Sequence, residues 1–155
     1  MRIPLPVLGW KEQVSLPDWG IPRMRAKLDT GARSSALHVE DVAEIDEHDH
    51  DGERFPVLKF HVITGLRNDP KLVEVVTPSY GTRTVRDTGA KAEVRHVVRT
   101  RIVCGPVDVS ADITLTSRHG MNFRMLLGRL ALQHACLVDP AHGYLHTPTP
   151  PQRRR

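Results

Sequence analysis

The chain has 155 residues, a length that fits one domain with a single hydrophobic core and excludes two lobes that each carry half of an active site. Its apolar share, 39%, becomes about 45% when glycine is counted and tyrosine is left out, which indicates a folded globular protein rather than a disordered one. The formal net charge of +4 permits binding of nucleic acid or acidic ligands without demonstrating either.

Between its 11 Gly and 12 Pro residues the chain alternates apolar and polar side chains, which predicts a mostly β structure. In chain order, strands are predicted at 7–10, 24–28, 37–45, 55–63, 72–77, 92–103, 108–116, 123–127 and 137–139. Asp51-Gly52 is predicted to connect a hairpin, and 128–134 to form one short helix. The apolar residues of 108–116 are predicted to share one face: Val109, Ala111, Ile113 and Leu115. So many short strands favour an all-β closed barrel or sandwich with one short C-terminal helix.

Other features of the chain narrow its class further. No run approaches the ~18 consecutive apolar residues of a membrane span, and the first residues lack a signal-peptide pattern, so we expect a cytoplasmic protein with no membrane partner. Cys104 and Cys136 lie in apolar runs, which predicts buried thiols. We expect a single domain over 1–146, followed by a flexible tail at 147–155 that is rich in Pro and Arg.

The most informative motif is Asp29-Thr30-Gly31-Ala32, which begins where an alternating strand stops at Leu28. A carboxylate there leaves the sheet at a loop whose glycine lets backbone amides approach the acid, while the Thr hydroxyl can hydrogen-bond to the backbone. Such a loop holds an ionisable group rigidly. Three residues alone occur often by chance. A second motif downstream supports a functional role: Leu126-Leu127-Gly128-Arg129-Leu130-Ala131-Leu132.

The order of these motifs resembles that of the retropepsin-type aspartic peptidases, and over 7–146 the chain resembles small bacterial members with the legacy label "ATP-dependent zinc protease". The resemblance implies a retropepsin-like acid-protease fold, in which 26–37 forms the catalytic strand and loop and 125–138 packs behind it. It further implies a role for each motif residue. Asp29 would be catalytic, Thr30, Gly31 and Ala32 would support the active-site loop, and Gly128 and Arg129 would lie behind the site.

One copy of Asp29 is insufficient for this chemistry, because retropepsin-type hydrolysis uses two carboxylates that share a proton across a water molecule. Two acids about 3 Å apart cannot both ionise, so one polarises the scissile carbonyl while the other activates the water. With one good motif per chain, the second Asp29 must come from a symmetry mate. The resemblance therefore predicts a C2 homodimer with the site on its axis, where Thr30 braces the two loops.

A second tetrapeptide of the same letters, Asp87-Thr88-Gly89-Ala90, has different flanks. No apolar alternation precedes it, Lys91 follows it, and no separate apolar-apolar-Gly motif accompanies it. We predict a turn here, either in the hairpin that covers retropepsin active sites or by coincidence.

Neither half of the legacy label finds support in the residues. The chain has no G-x-x-x-x-G-K-S/T loop for phosphates and no H-E-x-x-H pair for zinc, so we expect no cofactor and no metal. The nearest metal candidate, His48-Asp49-His50-Asp51, lies at a predicted hairpin tip, where alternating side chains point apart. A solvated turn is the favoured interpretation.

Position 33 departs from the retroviral pattern. Retroviral enzymes usually carry an acid two residues beyond the Gly, and the Arg of their Gly-Arg motif neutralises it; this chain has Arg33, which leaves Arg129 without that partner. In one interpretation Arg33 is solvated or paired with an acid such as Glu40, Asp41 or Asp139. In the other, two Arg33 side chains flank the cleft and bind acidic side chains of a substrate.

The leading hypothesis is an aspartic peptidase that acts as a homodimer on a peptide or protein substrate. Members of the group it resembles are often associated with ATP-grasp ligases that add glutamates to protein tails, so an acidic or glutamate-tailed peptide is a coherent substrate. The alternative is a retropepsin-like module that binds peptide or protein without cleaving it. Nucleic-acid binding ranks last, because aromatic residues total only 5%. Basic residues near the suspected flap fit an acidic ligand or simply an exposed strand face: Arg83, Arg86, Arg95, Arg99 and Arg101.

Overall fold

The computed structural model describes residues 4–66, 68–86, 92–117 and 122–150. The first strands are β1 (Val7–Gly9), β2 (Lys11–Leu16), β3 (Ile21–Leu28), β4 (Ser35–His50) and β5 (Glu53–Leu66), with a 3₁₀ turn at Pro17–Trp19. The later elements are β6 (Asp69–Arg86), β7 (Ala92–Cys104), β8 (Val107–Thr116), β9 (Met125–Leu127), the single helix α1 (Arg129–Leu132) and β10 (Leu137–Asp139). The predicted all-β fold with one short helix is confirmed.

Eight of the strands form one sheet, in the order β2-β3-β9-β4-β5-β6-β7-β8. Further pairings join β4 to β8 and β2 to β7, so the sheet closes on itself, while β1 and β10 form a separate parallel pair. Closure turns one face of each strand inward, and the largest fully buried side chains line that interior, among them Phe60, Leu37, Ile113 and Met125. Burial of these apolar surfaces supplies the main stabilisation of the fold.

Strand β9 positions the candidate site. It lies between β3 and β4, parallel to β3 and antiparallel to β4, with Leu127 opposite Leu28 and Leu126 opposite Ala36. Parallel strands end at the same edge of a sheet, so the loop that follows β3 and the segment that follows β9 meet at that edge. The two motifs that sequence analysis singled out therefore become neighbours.

The hairpin between β4 and β5 turns at Asp51-Gly52, as predicted. Both residues have positive φ, 48° and 83°, and two consecutive positive φ values are typical of the type I′ turn, whose twist matches that of the flanking strands. The two strands extend beyond the predicted 37–45 and 55–63.

The predicted one-sided burial of β8 is only partly correct. Ile113 is buried, but so is Thr114 on the opposite face, because this end of β8 lies between β7 and β4. The Thr114 hydroxyl donates a hydrogen bond of 2.8 Å to the carbonyl of Ser35, which satisfies its polar group inside the protein.

Strand β2 was not predicted from the sequence. Its inward face carries Glu12, Val14 and Leu16, all buried. A carboxylate at an inward position conceals the alternation, because charged residues are almost never fully buried unless they have partners.

Both cysteines are buried free thiols, as predicted. At the other end of the chain, the backbone N–H of Gln13 donates to the Thr147 hydroxyl, and the side-chain amide of Gln13 donates to the Pro148 carbonyl. Contacts with the domain therefore extend at least to Pro148. No helix within the described residues has the length and apolar character needed to cross a membrane.

Candidate active site

Asp29 is the first residue after β3, and the backbone around it is tightly held. Its N–H donates to the Leu127 carbonyl at 2.8 Å, and the Ala32 N–H donates to the Asp29 carbonyl at 3.2 Å. The Gly31 N–H donates to Oδ1 of Asp29 at 3.0 Å. A side chain at Gly31 would place its Cβ 3.2 Å from that oxygen, so the glycine permits this approach. Oδ2 of the half-buried carboxylate has no hydrogen bond within the described residues.

Gly128 lies directly against the loop that carries Asp29. A Cβ added to Gly128 would lie 2.5 Å from the carbonyl carbon and oxygen of Ser34 and 2.9 Å from the carbonyl oxygen of Arg33. The Gly128 N–H also donates to the Ser35 hydroxyl at 3.0 Å. The backbone of Gly128 is extended, so this position requires glycine because of the close approach of two backbones rather than because of its φ.

Arg129 fastens the loop from behind. Its backbone N–H donates to the Ala32 carbonyl at 2.7 Å, and the next N–H along, that of Leu130, donates to the Arg33 carbonyl at 3.1 Å. The guanidinium donates to the Thr30 carbonyl at 3.3 Å. A backbone carbonyl thus takes the place of the acidic partner found in retroviral enzymes, and a backbone acceptor leaves no signal in a sequence. The Thr30 side chain itself is exposed.

Arg33 is exposed and forms no ion pair within the described part of the chain. The acids considered as partners are engaged by histidines: Glu40 by His38 at 3.4 Å, Asp41 by His61 at 3.2 Å and Asp139 by His142 at 2.7 Å. The interpretation that pairs Arg33 with one of these acids is therefore wrong. A solvated side chain and a role in the cleft remain as alternatives.

The hairpin of β6 and β7 contacts the same loop. Nη1 of Arg83 on β6 donates to the Ser34 hydroxyl at 2.9 Å, a contact that sequence analysis missed because 49 residues separate the two positions. The second motif, 87–90, falls between the paired residues Arg86 and Ala92, but 87–91 lie outside the described residues.

Three of the other basic residues near this hairpin already have acidic partners. Arg95 contacts Glu93 at 2.9 Å. The remaining two pairs join β7 to β8, with Arg99 at 2.8 Å from Asp112 and Arg101 at 2.6 Å from Asp108. Hydrogen bonds from Arg101 hold the pKa of Asp108 below its usual value. Because these arginines already form ion pairs with acids of the sheet, they have little capacity to bind an acidic ligand.

A cavity of about 280 Å³ opens on the sheet face opposite the core. Cross-strand neighbours form its base: Lys27 on β3, Leu126 on β9 and Ala36 on β4. Trp10 and Phe123 form an aromatic wall with their ring centroids 5.9 Å apart, and His38 and Arg124 add basic groups. Its residues come from separate parts of the chain, which is why sequence analysis did not identify it.

The histidines of 48–51 contact neighbouring groups of the sheet. His48 Nε2 lies 2.7 Å from the Ser79 carbonyl oxygen, and the His50 ring packs edge-on against Tyr80 at 4.9 Å. Within the described residues, no group of three or more His, Cys, Asp or Glu side chains could hold a metal ion.

Over residues 7–149 the sequence matches the family described as "RimB-like: Retropepsin-like aspartic endopeptidase RimB". The chain belongs to this RimB-like family. The match includes both motifs that the structure brings together, and it confirms the retropepsin-type resemblance that the sequence indicated.

Two curated relatives carry a different name. A Parasynechococcus marenigrum protein named "Probable alpha-L-glutamate ligase" is 36% identical over 135 residues, covering 86% of this chain and 28% of the relative. A Desulfotalea psychrophila protein of the same name is 32% identical over 136 residues, covering 87% of this chain and 28% of its own length. The chain therefore spans little more than a quarter of the length of these relatives.

A solved structure shares the fold along almost the whole chain. It is the crystal structure of a Legionella pneumophila protein of unknown function, 28% identical in sequence with a TM-score of 0.70. The match covers 91% of this chain and 98% of the Legionella chain, so the fold of this RimB-like chain also occurs as a separately crystallised protein chain.

Proposed function

We propose that this chain is an aspartic peptidase that hydrolyses peptide bonds as a C2 homodimer, in which the Asp29 carboxylates of two subunits form the catalytic dyad. The observation that carries the proposal is the state of the Asp29 carboxylate. One oxygen accepts a backbone hydrogen bond from Gly31, while the other has no hydrogen bond within the described residues. Such a group is oriented by the protein yet keeps one oxygen for a water molecule or a second carboxylate.

In the proposed mechanism the two carboxylates share one proton, and the pair rather than either residue titrates. The ionised carboxylate takes a proton from a water molecule held between the two, and the water oxygen attacks the carbonyl carbon of the substrate. The protonated carboxylate donates to the carbonyl oxygen, which gives a neutral tetrahedral diol. Transfer of a proton to the amide nitrogen then breaks the C–N bond and releases an acid and an amine.

The backbone contacts behind Asp29 support this mechanism, because a dyad requires positioning to within a fraction of an ångström. Gly128 and Arg129 hold the loop through close backbone packing and three hydrogen bonds, to Ser35, Ala32 and Thr30. The exposed Thr30 follows Asp29 directly. In the proposed dimer, the Thr30 side chains of the two loops meet beside the axis.

We propose acidic or glutamate-tailed peptides as substrates. Arg33 lies four residues beyond Asp29 and is exposed without an ion pair in the described part of the chain. The names of the curated relatives also support this choice, since a segment similar to this chain forms part of proteins named as glutamate ligases. A peptidase that acts on glutamate polymers would be a chemical counterpart of such a ligase.

The test compares the wild-type protein with Asp29→Asn on glutamate-tailed and mixed-sequence peptides, from mildly acidic to neutral pH. Circular dichroism and sedimentation first establish that the two proteins have the same fold and the same dimer content. We expect Asp29→Asn to lower kcat/KM at least ~1,000-fold, as expected for loss of a group that acts as part of a unit. We expect a chelator to leave the wild-type activity unchanged.

Equal activity of the two proteins would rule out the aspartic mechanism, and a strictly monomeric active species would rule out the shared dyad. Peptide binding by both proteins without cleavage by either would instead support the alternative, a retropepsin-like module that only binds peptide or protein.

A further inference from the structure

We infer that the cavity lined by Lys27 and Trp10 binds the side chain of a glutamate residue that flanks the scissile bond, with Lys27 as the residue that selects its carboxylate. This inference rests on the proposed peptidase function and names a subsite that the motifs alone did not reveal.

The position of the cavity relative to Asp29 determines which substrate residue could occupy it. Lys27 precedes Asp29 by two residues at the end of β3, so their Cα atoms are about 7 Å apart in extended backbone. A peptide bound in an extended conformation advances by the same distance in two residues. The occupant of the cavity therefore belongs to one of the residues next to the bond that the dyad cleaves.

The size and walls of the cavity favour one long side chain. Its volume of about 280 Å³ is just below the range of sites for small molecules, ~300–1,000 Å³, and several times the ~30 Å³ that a water molecule occupies. Trp10, Phe123 and Leu126 offer apolar contact, which suits methylene groups. A side chain with an aliphatic stem and a charged end fits such walls.

The charged groups around the cavity determine whether the charged end of this side chain is acidic or basic. Among the described residues, two carboxylates contact side chains that line the cavity, Glu40 at His38 and Glu93 at Thr116. Both have basic partners, His38 for Glu40 and Arg95 for Glu93. Lys27 is exposed and has no ion pair within the described residues. Its ammonium group is thus available to a carboxylate from outside the chain.

The partner of Lys27 across the sheet strengthens this conclusion. Lys27 pairs directly with Lys11 of β2, and like charges in directly opposite positions destabilise a strand pair. The ammonium of Lys11 lies 4.8 Å from the centroid of the Trp10 ring and 5.5 Å from that of the Tyr144 ring, so it adds positive charge next to Trp10, while Lys27 itself lines the cavity. A bound carboxylate offsets this repulsion, and two methylene groups carry the carboxylate of Glu further from the peptide backbone than that of Asp.

The experiment uses peptides with amidated C-termini that differ only by Glu, Gln, Asp or Lys at each position that flanks the scissile bond. Amidation separates recognition of a side-chain carboxylate from recognition of a terminal one. Because the two-fold axis of the proposed dimer places an equivalent cavity on each side of the dyad, we expect the wild-type protein to prefer Glu over Gln by about tenfold in kcat/KM at the flanking position on either side, the size of one charge-assisted hydrogen bond at a partly solvated site.

Lys27→Met keeps an unbranched apolar side chain but removes the charge, so we expect it to abolish the preference for Glu over Gln. Lys27→Glu should shift the preference to Lys. Lys71→Met, an exposed lysine at the far end of β6, is the matched control and should retain the wild-type preference. A Lys27→Met protein that still prefers Glu, or a preference that only a free C-terminus produces, would overturn the inference.

A second measurement separates failure of the inference from failure of the proposed function. Trp19→Phe leaves Trp10 as the only indole of the two in the chain, so its fluorescence reports occupancy of the cavity without any cleavage. In that background with Asp29→Asn, the Glu peptide should bind about tenfold more tightly than the Gln peptide, and Lys27→Met should remove the difference. If the protein that keeps Lys27 binds the Glu and Gln peptides with equal affinity, the subsite is refuted even if the wild-type protein is an active peptidase. A clear difference in affinity would support the subsite even if no peptide is cleaved.

Discussion

The carboxylate of Glu12 accepts two hydrogen bonds from Thr147, one from its hydroxyl at 2.7 Å and one from its backbone N–H at 3.2 Å. Backbone N–H groups of Gly9, Leu145 and His146 donate to the same carboxylate at 2.7, 2.9 and 3.3 Å. Glu12 is fully buried, so these donors replace the water that it loses on folding. One charged side chain thereby joins the start of the barrel to the C-terminal segment.

Glu12→Gln should therefore destabilise the protein by about 3 kcal/mol, because an amide accepts fewer hydrogen bonds and leaves buried donors without partners. Urea unfolding measures the change. Glu53→Gln, at an exposed position on β5, is the matched control and should change stability by less than about 0.5 kcal/mol. Similar losses from the two variants would contradict the role assigned to Glu12.

The same contacts predict a pH dependence. Burial by itself would raise the pKa of Glu12, but the hydrogen bonds from Thr147, Gly9, Leu145 and His146 together outweigh it and lower the pKa below the usual 4.5. The carboxylate thus contributes its full stabilisation above 4.5 and loses it as the pH falls through the lower value of the folded state. The stability difference between wild type and Glu12→Gln should be constant near neutrality and shrink below 4.5; a difference that grows there would be the opposite result.

Gly128→Ala should lower stability by about 3 kcal/mol and abolish peptidase activity. The new Cβ would lie 2.5 Å from backbone atoms of Ser34, and backbone cannot move aside as a flexible side chain can. Gly20→Ala is the control: it has φ of 68° but open space around its Cβ position, so we expect a loss of about 1 kcal/mol with activity retained. Calorimetry and peptide cleavage together distinguish the two effects.

Arg83→Met should reduce kcat/KM about fivefold, because the hairpin loses its hydrogen bond to the Ser34 hydroxyl beside the Asp29 loop. Ser34→Ala should produce a similar loss, and the double variant no more than either single one. Arg101→Met, which breaks an exposed pair with Asp108, should leave cleavage unchanged. Additive losses at positions 83 and 34 would indicate that the two side chains act separately.

The two thiols should be unreactive in the folded protein. Burial raises the pKa of Cys104 to about 12 and also raises that of Cys136. At pH 8 only about one Cys104 in 10,000 would be a thiolate, the reactive form. Mass spectrometry after treatment with a maleimide should show neither cysteine modified in the native state and both modified in urea. Rapid labelling of either native thiol would contradict the described packing.

Local patterns in the sequence predicted most strands and the loop at 29–32, because alternation and short motifs report on residues close together in the chain. Strand β2 was missed because Glu12 occupies an inward position. The groups that donate hydrogen bonds to its carboxylate lie up to 135 residues away in the sequence. The partner of Arg129 was missed because it is a backbone carbonyl.

The cavity was missed for a related reason. Lys27, Ala36 and Leu126 become neighbours only when β9 enters the sheet between β3 and β4. Pairing of Arg33 with Glu40, Asp41 or Asp139 was one of two interpretations, and histidines contact all three acids: His38 on the same strand as Glu40, His61 on the strand paired with β4, and His142 three residues after Asp139. The cavity, by contrast, depends on tertiary register, which local patterns do not contain.

The insertion of β9 between β3 and β4 also determines when the Asp29 loop can gain its supporting contacts. Thr30 and Arg129 are 99 residues apart in the chain, so on the ribosome the Asp29 loop lacks its supporting wall until nearly the whole barrel has been translated. A nascent chain that stops before β9 has the motif but cannot hold it in place, and non-local pairings of this kind form slowly. A fully supported Asp29 loop is therefore a property of a barrel that already contains β9.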